Sequence, residues 1–238
     1  MFKEALEYII KQSAPEINEI DGQTYSDKPL HRISHNPKAQ QIVLHTLSSL
    51  VDYIKSNADT LPAKVFVHIA SPTSVELFSN LDEDRQREYL VEVCAKVPGF
   101  SFNKFIDHET FCINLQSKFQ DAFDRAIILR FAGTVEAGSV AEYGDDGISQ
   151  KATVKTGIAS KGEALVPNPV ALVAYRTFVE VPQPISNFIF RIKQDKYDGI
   201  QCALFEADGG AWEISAMNEI RKYLEEQLSG IDGITILS

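Results

Sequence analysis

Cysteine is scarce in this chain: three residues among 238, with no CxxC pair, leave no zinc-ribbon or dithiol redox grammar. Cys94, Cys112 and Cys202 are odd in number, widely separated and set among apolar neighbours, so they read as reduced core thiols in a cytoplasmic protein. Long apolar runs are missing too. No stretch approaches the ~18 residues that span a bilayer, and Glu4 and Glu7 interrupt the N-terminus where a signal peptide carries an apolar core. Positive charge is in short supply, with 23 Lys and Arg against 33 Asp and Glu, for a net charge of −10. Such a surface repels phosphate backbones at long range and disfavours sequence-independent duplex binding, while leaving room for a local basic groove. No GxSxG or Cys–His nucleophile signature occurs, and nothing supports covalent catalysis. The sequence calls for no cofactor and no metal, and a non-enzymatic protein is expected.

What is present is an ordinary globular composition, 44% apolar, in a chain long enough to bury a substantial core. Phe2, Leu6, Ile9 and Ile10 predict a helix over 2–12. Asn36-Pro37 reads as a helix start, with Val43, Leu47, Leu50, Val51 and Ile54 as the buried stripe of a helix over 37–56 that Leu61-Pro62 closes. Val65, Val67 and Ile69 alternate as a strand. Tyr89, Val91, Val93 and Val97 alternate as a second, opposite Glu88, Glu92 and Lys96; Leu90, Val93, Cys94 and Val97 also fit a helical period, and the strand is the favoured reading. Phe105, Cys112, Leu115 and Phe119 predict a helix over 103–119, and 126–131 reads as a buried strand. Strands are expected near 170–180, 187–193 and 200–207. The middle one faces Phe188, Phe190 and Ile192 one way, Asn187, Arg191 and Lys193 the other. A helix over 212–228 burying Met217, Ile220, Tyr223, Leu224 and Leu228 and a short strand over 234–237 complete the chain. Strands outnumber helices without regular alternation, so the expected class is α+β, a largely antiparallel sheet with flanking helices. The expected organisation is an N-terminal α+β part over 1–132, a flexible loop or hairpin over 133–164, and a strand-rich C-terminal part over 165–238, within one domain or more.

Several clusters invite chemistry, and most have a plainer reading. In Asp107-His108-Glu109 adjacent helix residues do not face one another, so the trio is no prebuilt dyad, and His108 reads as a half-buried side chain with a local hydrogen bond. His31 and His35 are bracketed by Pro29 and Pro37 and lack an intervening acid, which argues against a zinc helix. Asp145-Asp146 between glycines makes a good turn more readily than a cation loop. Glu206-Ala207-Asp208-Gly209-Gly210 ends a strand and precedes Trp212 and a helix, a junction whose backbone N–H groups suit an anion, though a sharp turn is the plainer reading. Arg176, Arg191 and Arg130 fall in strand-like runs. Arg176 beside Tyr175 and Phe178 suits phosphate, a stacked base or an internal carboxylate. The candidate ligand-binding residues are therefore Tyr175, Arg176, Arg191, Asp208, Gly209, Gly210 and Trp212.

Four segments carry a resemblance: Ile20-Asp21-Gly22-Gln23-Thr24-Tyr25-Ser26, Gly144-Asp145-Asp146-Gly147-Ile148-Ser149-Gln150, Tyr175-Arg176-Thr177-Phe178, and Ala203-Leu204-Phe205-Glu206-Ala207-Asp208-Gly209-Gly210-Ala211-Trp212. Together they resemble proteins of tailed bacteriophages and prophages, the YfdQ-like group. The resemblance implies a source and carries no catalytic residues over. It implies a host-directed binding protein that inhibits or sequesters a protein or a nucleotide signal of host defence, acting as a homo-oligomer in the bacterial cytoplasm. The alternative is a replication or recombination accessory holding single-stranded DNA, with Tyr175, Arg176, Phe178, Arg191 and Lys193 lining the groove.

Overall fold

A computed structural model describes residues 3, 6, 8, 15–29, 38–135, 142–143, 150–155, 161–195 and 199–238. They divide into two compact units, Met1–Ala39 and Gln40–Ser238. In the first, Lys3, Leu6 and Tyr8 are helical, which is all that is described of the helix expected over 2–12. β1 (Ile17–Ile20) and β2 (Gln23–Ser26) form an antiparallel hairpin. Asp21 and Gly22 turn it with φ of 53° and 75°, the left-handed pair that matches the twist of a two-residue hairpin. His31, His35 and Asn36-Pro37 lie outside the described residues.

The second unit carries β3 (Ile42–Leu44), α1 (Leu47–Ser56), β4 (Val65–Ser71), β5 (Ser74–Ser79), β6 (Tyr89–Cys94), β7 (Ile106–Asp107), α2 (His108–Ser117) and α3 (Arg125–Thr134). It continues with β8 (Glu142–Tyr143), β9 (Gln150–Lys155), β10 (Lys161–Leu165), β11 (Val170–Val173), β12 (Ile185–Asp195), β13 (Gly199–Glu206), α4 (Ala211–Gln227) and β14 (Ile234–Leu237). The class is α+β, strand-rich and mostly antiparallel. One sheet runs β14-β4-β5-β6-β3, with parallel pairing only at its two edges. Another runs β11-β12-β13-β7, and a third runs β10-β9-β8, both antiparallel throughout. Within 133–164 the described strands thus include a hairpin, β9 with β10, and Gly144-Asp145-Asp146-Gly147 lies outside the described residues.

Two cores follow from the strand alternation. Val65, Val67, Ile69, Val75, Leu77, Val91 and Val93 bury one face of the five-stranded sheet against Leu47, Leu50, Val51 and Ile54 of α1 and Ile220 and Leu224 of α4. Phe188, Phe190, Ile192, Cys202 and Leu204 bury one face of the four-stranded sheet with Phe111 and Leu115 of α2 and Ile128 of α3. In this second core Phe111 stacks on Phe190 at 5.5 Å between ring centroids and Phe102 on Phe188 at 5.3 Å.

Four expectations are corrected. The helix expected over 37–56 begins at Leu47, because the Thr46 side chain accepts from the Ser49 N–H and caps it there. Val43 therefore stands exposed in β3 instead of in a buried stripe. The helix expected over 103–119 starts at His108, where Asp107 caps it by accepting from the Thr110 N–H at 2.8 Å. Phe105 lies ahead of it. The strand expected over 126–131 is helix α3: Ile128 and Ala132, four apart, are buried while Ile127 is exposed, a helical period that a short apolar run conceals. The strand expected over 170–180 stops at Val173, and only an isolated bridge from Ala174 to Phe119 follows it.

Gly233 fixes the approach of β14. Its φ is +82°, and a Cβ there would collide with the Ala63 carbonyl oxygen. Only glycine lets the chain pass this close and pair β14 with β4.

Candidate functional site

Beyond Ala174 the chain leaves the sheet, and one buried side chain replaces the lost ladder. Gln183 Oε1 accepts from the N–H groups of Arg176 at 2.8 Å and Thr177 at 3.1 Å, and its Nε2 donates to Phe178 O at 2.9 Å. Thr177 Oγ1 donates to Pro72 O at 2.5 Å, tying this segment to the β4–β5 turn. Glu180 accepts from the Ser48 N–H at 3.2 Å and supplements the cap of α1. The segment is a fixed frame.

It presents Arg176 to a cage of rings. The guanidinium carbon is 4.1 Å from the ring centroid of Phe102, 4.6 Å from Trp212 and 5.1 Å from Phe188. Such distances bring a cation within reach of the negative ring faces. The side chain is only 6% exposed, and its Nη1 lies 2.9 Å from Glu206 Oε1 at an angle that leaves no aligned hydrogen bond. Nε and Nη2 are buried without an acceptor among the described residues, as Asp208 Oδ2 is without a donor. Burial pushes the guanidinium pKa down, and the carboxylates of Glu206, Asp208 and Glu213 oppose that shift. Glu206 is itself held by Asn103, whose Oδ1 accepts from the Glu206 N–H at 3.0 Å.

Beside this cation is a cavity of about 300 Å³, with Phe100, Phe102 and Trp212 on its apolar walls and Lys118, Tyr175, Arg176 and Glu206 as its polar groups. Lys118 Nζ donates to Gly99 O at 2.5 Å across the C-terminus of α2. The cavity combines a flat apolar interior with a few fixed polar groups, the usual make-up of a small-molecule site, and lies at the small end of their size range.

Of the residues expected from the sequence, Tyr175, Arg176 and Trp212 meet here, with Asp208 near enough to act on Arg176 electrostatically. Gly209 and Gly210 do turn the chain into α4, with φ of 63° and 82°. Their junction is already occupied, because Asp208 Oδ1 accepts from the Gly210 N–H at 3.1 Å and places a carboxylate where an anion would approach. Arg191 lies on the opposite face of β12 from Phe188 and Phe190, away from the cavity. Phe178 is buried in the aliphatic core. Phe102, Lys118, Glu206 and Gln183 were not among the expected site residues. The aromatic pair Phe100 and Phe102 just after Pro98-Gly99 was the available signal for the first of them.

The acid–base trio resolves differently. His108 is half-buried, with Nε2 2.8 Å from Ala132 O and 3.7 Å from Cys112 Sγ. A carbonyl only accepts, so Nε2 carries the proton and offers the thiol no base. Burial also pushes the Cys112 thiol up. The pair is no activated nucleophile. Among the described residues no cluster of three metal-ligating side chains occurs and no helix is long and apolar enough to cross a membrane.

Protein-family models, curated proteins and solved structures yield no match to this chain.

Proposed function

We propose that the protein is a non-enzymatic binding protein that holds a small, flat-ringed anion of mononucleotide type in the cavity beside Arg176. The observation that carries this is the buried guanidinium, with Nε and Nη2 lacking an acceptor among the described residues, on a side chain that lines a mostly apolar cavity. A buried donor left unmade costs about 1–3 kcal/mol, so a ligand oxygen placed there recovers what the folded chain forgoes. Phe100 and Trp212 supply the walls for a ring, Lys118 a second positive charge, and Glu206 an acceptor for an exocyclic amine. At about 300 Å³ the cavity suits one ring system and excludes a cyclic dinucleotide, which has two. With the phage resemblance, the function becomes sequestration of a nucleotide signal inside a bacterial host.

The test is thermal stabilisation, since a ligand binding only the folded state raises its stability by about 2.7 kcal/mol at a hundredfold excess over Kd. Nucleoside monophosphates and cyclic mononucleotides should raise Tm in the native protein and leave it unchanged in Arg176→Met. No shift with any mononucleotide, or an equal shift in Arg176→Met, overturns the reading. The homo-oligomer belongs to the same proposal. The apolar stripe of α4, Ala216, Ile220 and Leu224, is consumed inside the chain, so assembly must use another surface. A monomeric mass by light scattering removes it.

A further inference from the structure

A second surface lies on the other side of the four-stranded sheet from Phe188. Strand register sets its composition. Phe190 pairs with Leu204 and Ile192 with Cys202 on the buried face, so Arg191 opposite Ala203 and Lys193 opposite Gln201 point the other way. β7 extends the same rows: Ile106 pairs with Cys202 inward, which leaves Phe105 beside Ala203 outward. The outer face thus carries Arg191 and Phe105 on either side of the buried Ala203 in one row, Lys193 in the next and Phe205 in the row before. Phe105 and Phe205 are half-buried, belong to neither core, and meet edge to face at 5.8 Å. Lys193 is exposed with Nζ 4.6 Å from the Phe105 ring centroid. Lys104 adds an exposed cation next to Phe105. Asp107, the acid in these rows, has its carboxylate engaged in capping α2.

In a chain of net charge −10 this face concentrates three cations around two aromatic rings. Rings standing on a sheet give bases something to stack on, and cations flanking them follow the phosphates. We infer that this outer face of the β11–β7 sheet binds single-stranded DNA. The ground is charge complementarity joined to the paired rings. The single strand is taken as DNA, and the oligouridylate comparison in the test separates it from RNA. This site is separate from the cavity beside Arg176, and it replaces the groove expected from Tyr175, Arg176 and Phe178, of which Arg176 and Phe178 are buried.

The experiment is fluorescence anisotropy with a labelled oligothymidylate of about 15 nucleotides, long enough for one sheet-sized site. Three phosphate contacts predict a log–log salt slope near −2, or roughly 20-fold weaker binding between about 50 and 200 mM NaCl. Arg191→Ala with Lys193→Ala should weaken binding at least about tenfold and flatten that slope. Phe105→Ala with Phe205→Ala should weaken it at least about fivefold while leaving the slope in place. Lys193→Glu alone, at an exposed position, guards against loss of fold and should also weaken binding. Arg176→Met should bind DNA as the native protein does, which keeps failure of the cavity reading distinct from failure here. Absence of binding at about 50 mM NaCl overturns the inference. So does undiminished binding by the Arg191/Lys193 variant, or preference for oligouridylate or duplex.

Discussion

The two main sheets of the Gln40–Ser238 unit solve the same packing problem with different side chains, and the cavity belongs to the second solution. The five-stranded sheet buries Val, Leu and Ile against α1 and α4, filling its space with branched aliphatic groups. The four-stranded sheet buries Phe111, Phe119, Phe188 and Phe190, large flat groups that stack and meet edge to face. At the margin of the aromatic core the rings enclose a cation and leave a cavity. An aliphatic wall has no quadrupole with which to hold Arg176 out of water; Phe102 and Trp212 do. The difference teaches that the margin of the aromatic core is where a cation can be held almost wholly out of water.

This contrast can be broken by mutation. The largest effect is expected for Phe190→Ala, which empties the centre of the aromatic core and should cost about 3–5 kcal/mol in chemical denaturation. Ile69→Val in the aliphatic core should cost about 0.5–1.5 kcal/mol. Equal losses would mean that the two cores do not differ in how they depend on their largest members. Next is Gln183→Leu, which leaves the N–H groups of Arg176 and Thr177 and the Phe178 carbonyl without their partner. At about 1–3 kcal/mol for a buried group left unmade, it should lower Tm by several degrees and abolish any ligand-induced shift. A Tm equal to that of the native protein would show that the frame around Arg176 stands without Gln183.

A smaller effect is expected at the entrance to α2, which brings Phe111 to the aromatic core. Asp107→Ala removes the cap and should cost about 1 kcal/mol at neutral pH. The hydrogen bond from Thr110 holds the Asp107 carboxyl below its ordinary value of 3.8. A depressed pKa in the folded state means that the stabilisation is complete above the ordinary carboxylate range. It is lost as pH falls through the depressed value. The gap between the native protein and Asp107→Ala should therefore be open at neutral pH and close in strong acid, damped by the solvent around this exposed group. A gap independent of pH would show that the loss does not come from the ionised cap. The smallest perturbation is chemical. Cys202 lies in the aromatic core with its thiol pushed up to about 12 by burial. It should resist a maleimide in the native state and react only on unfolding. Rapid native labelling of Cys202 would show the aromatic core to be open.

Much of the first sheet was legible because its signal is local. Val65, Val67 and Ile69 and then Val91 and Val93 alternate as half-buried strands do. Ile220 and Leu224 repeat at helical spacing, and Ile234–Leu237 reads as the strand it is. β5 escaped notice although Val75 and Leu77 alternate, since Phe78 interrupts the pattern at a bulge. The aromatic half was harder. A run such as Ala126-Ile127-Ile128-Leu129 satisfies both periods, and only burial against Phe190 and its neighbours selects the helix. Of the site, Arg176, Tyr175 and Trp212 were within reach of sequence reasoning because charge and aromaticity mark them. Gln183, Asn103 and Phe102 were not, because each acts on a residue that pattern reasoning does not connect to it. Asn103 meets Glu206 from across the chain, and Gln183 works entirely through backbone atoms.

The parallel pairing of β14 with β4, allowed by Gly233, joins residue 234 to residue 65. During synthesis β4 emerges long before its outer neighbour exists, and in the interval one side of that strand shows a row of unsatisfied amide groups to the crowded cell. Pairings this distant in sequence form slowly, and unpaired strand edges recruit other chains. Production of this protein should then be limited by the lifetime of that unfinished edge, and slower translation at low temperature, or a chaperone that shields nascent strands, should raise the soluble yield more than any substitution in the cavity.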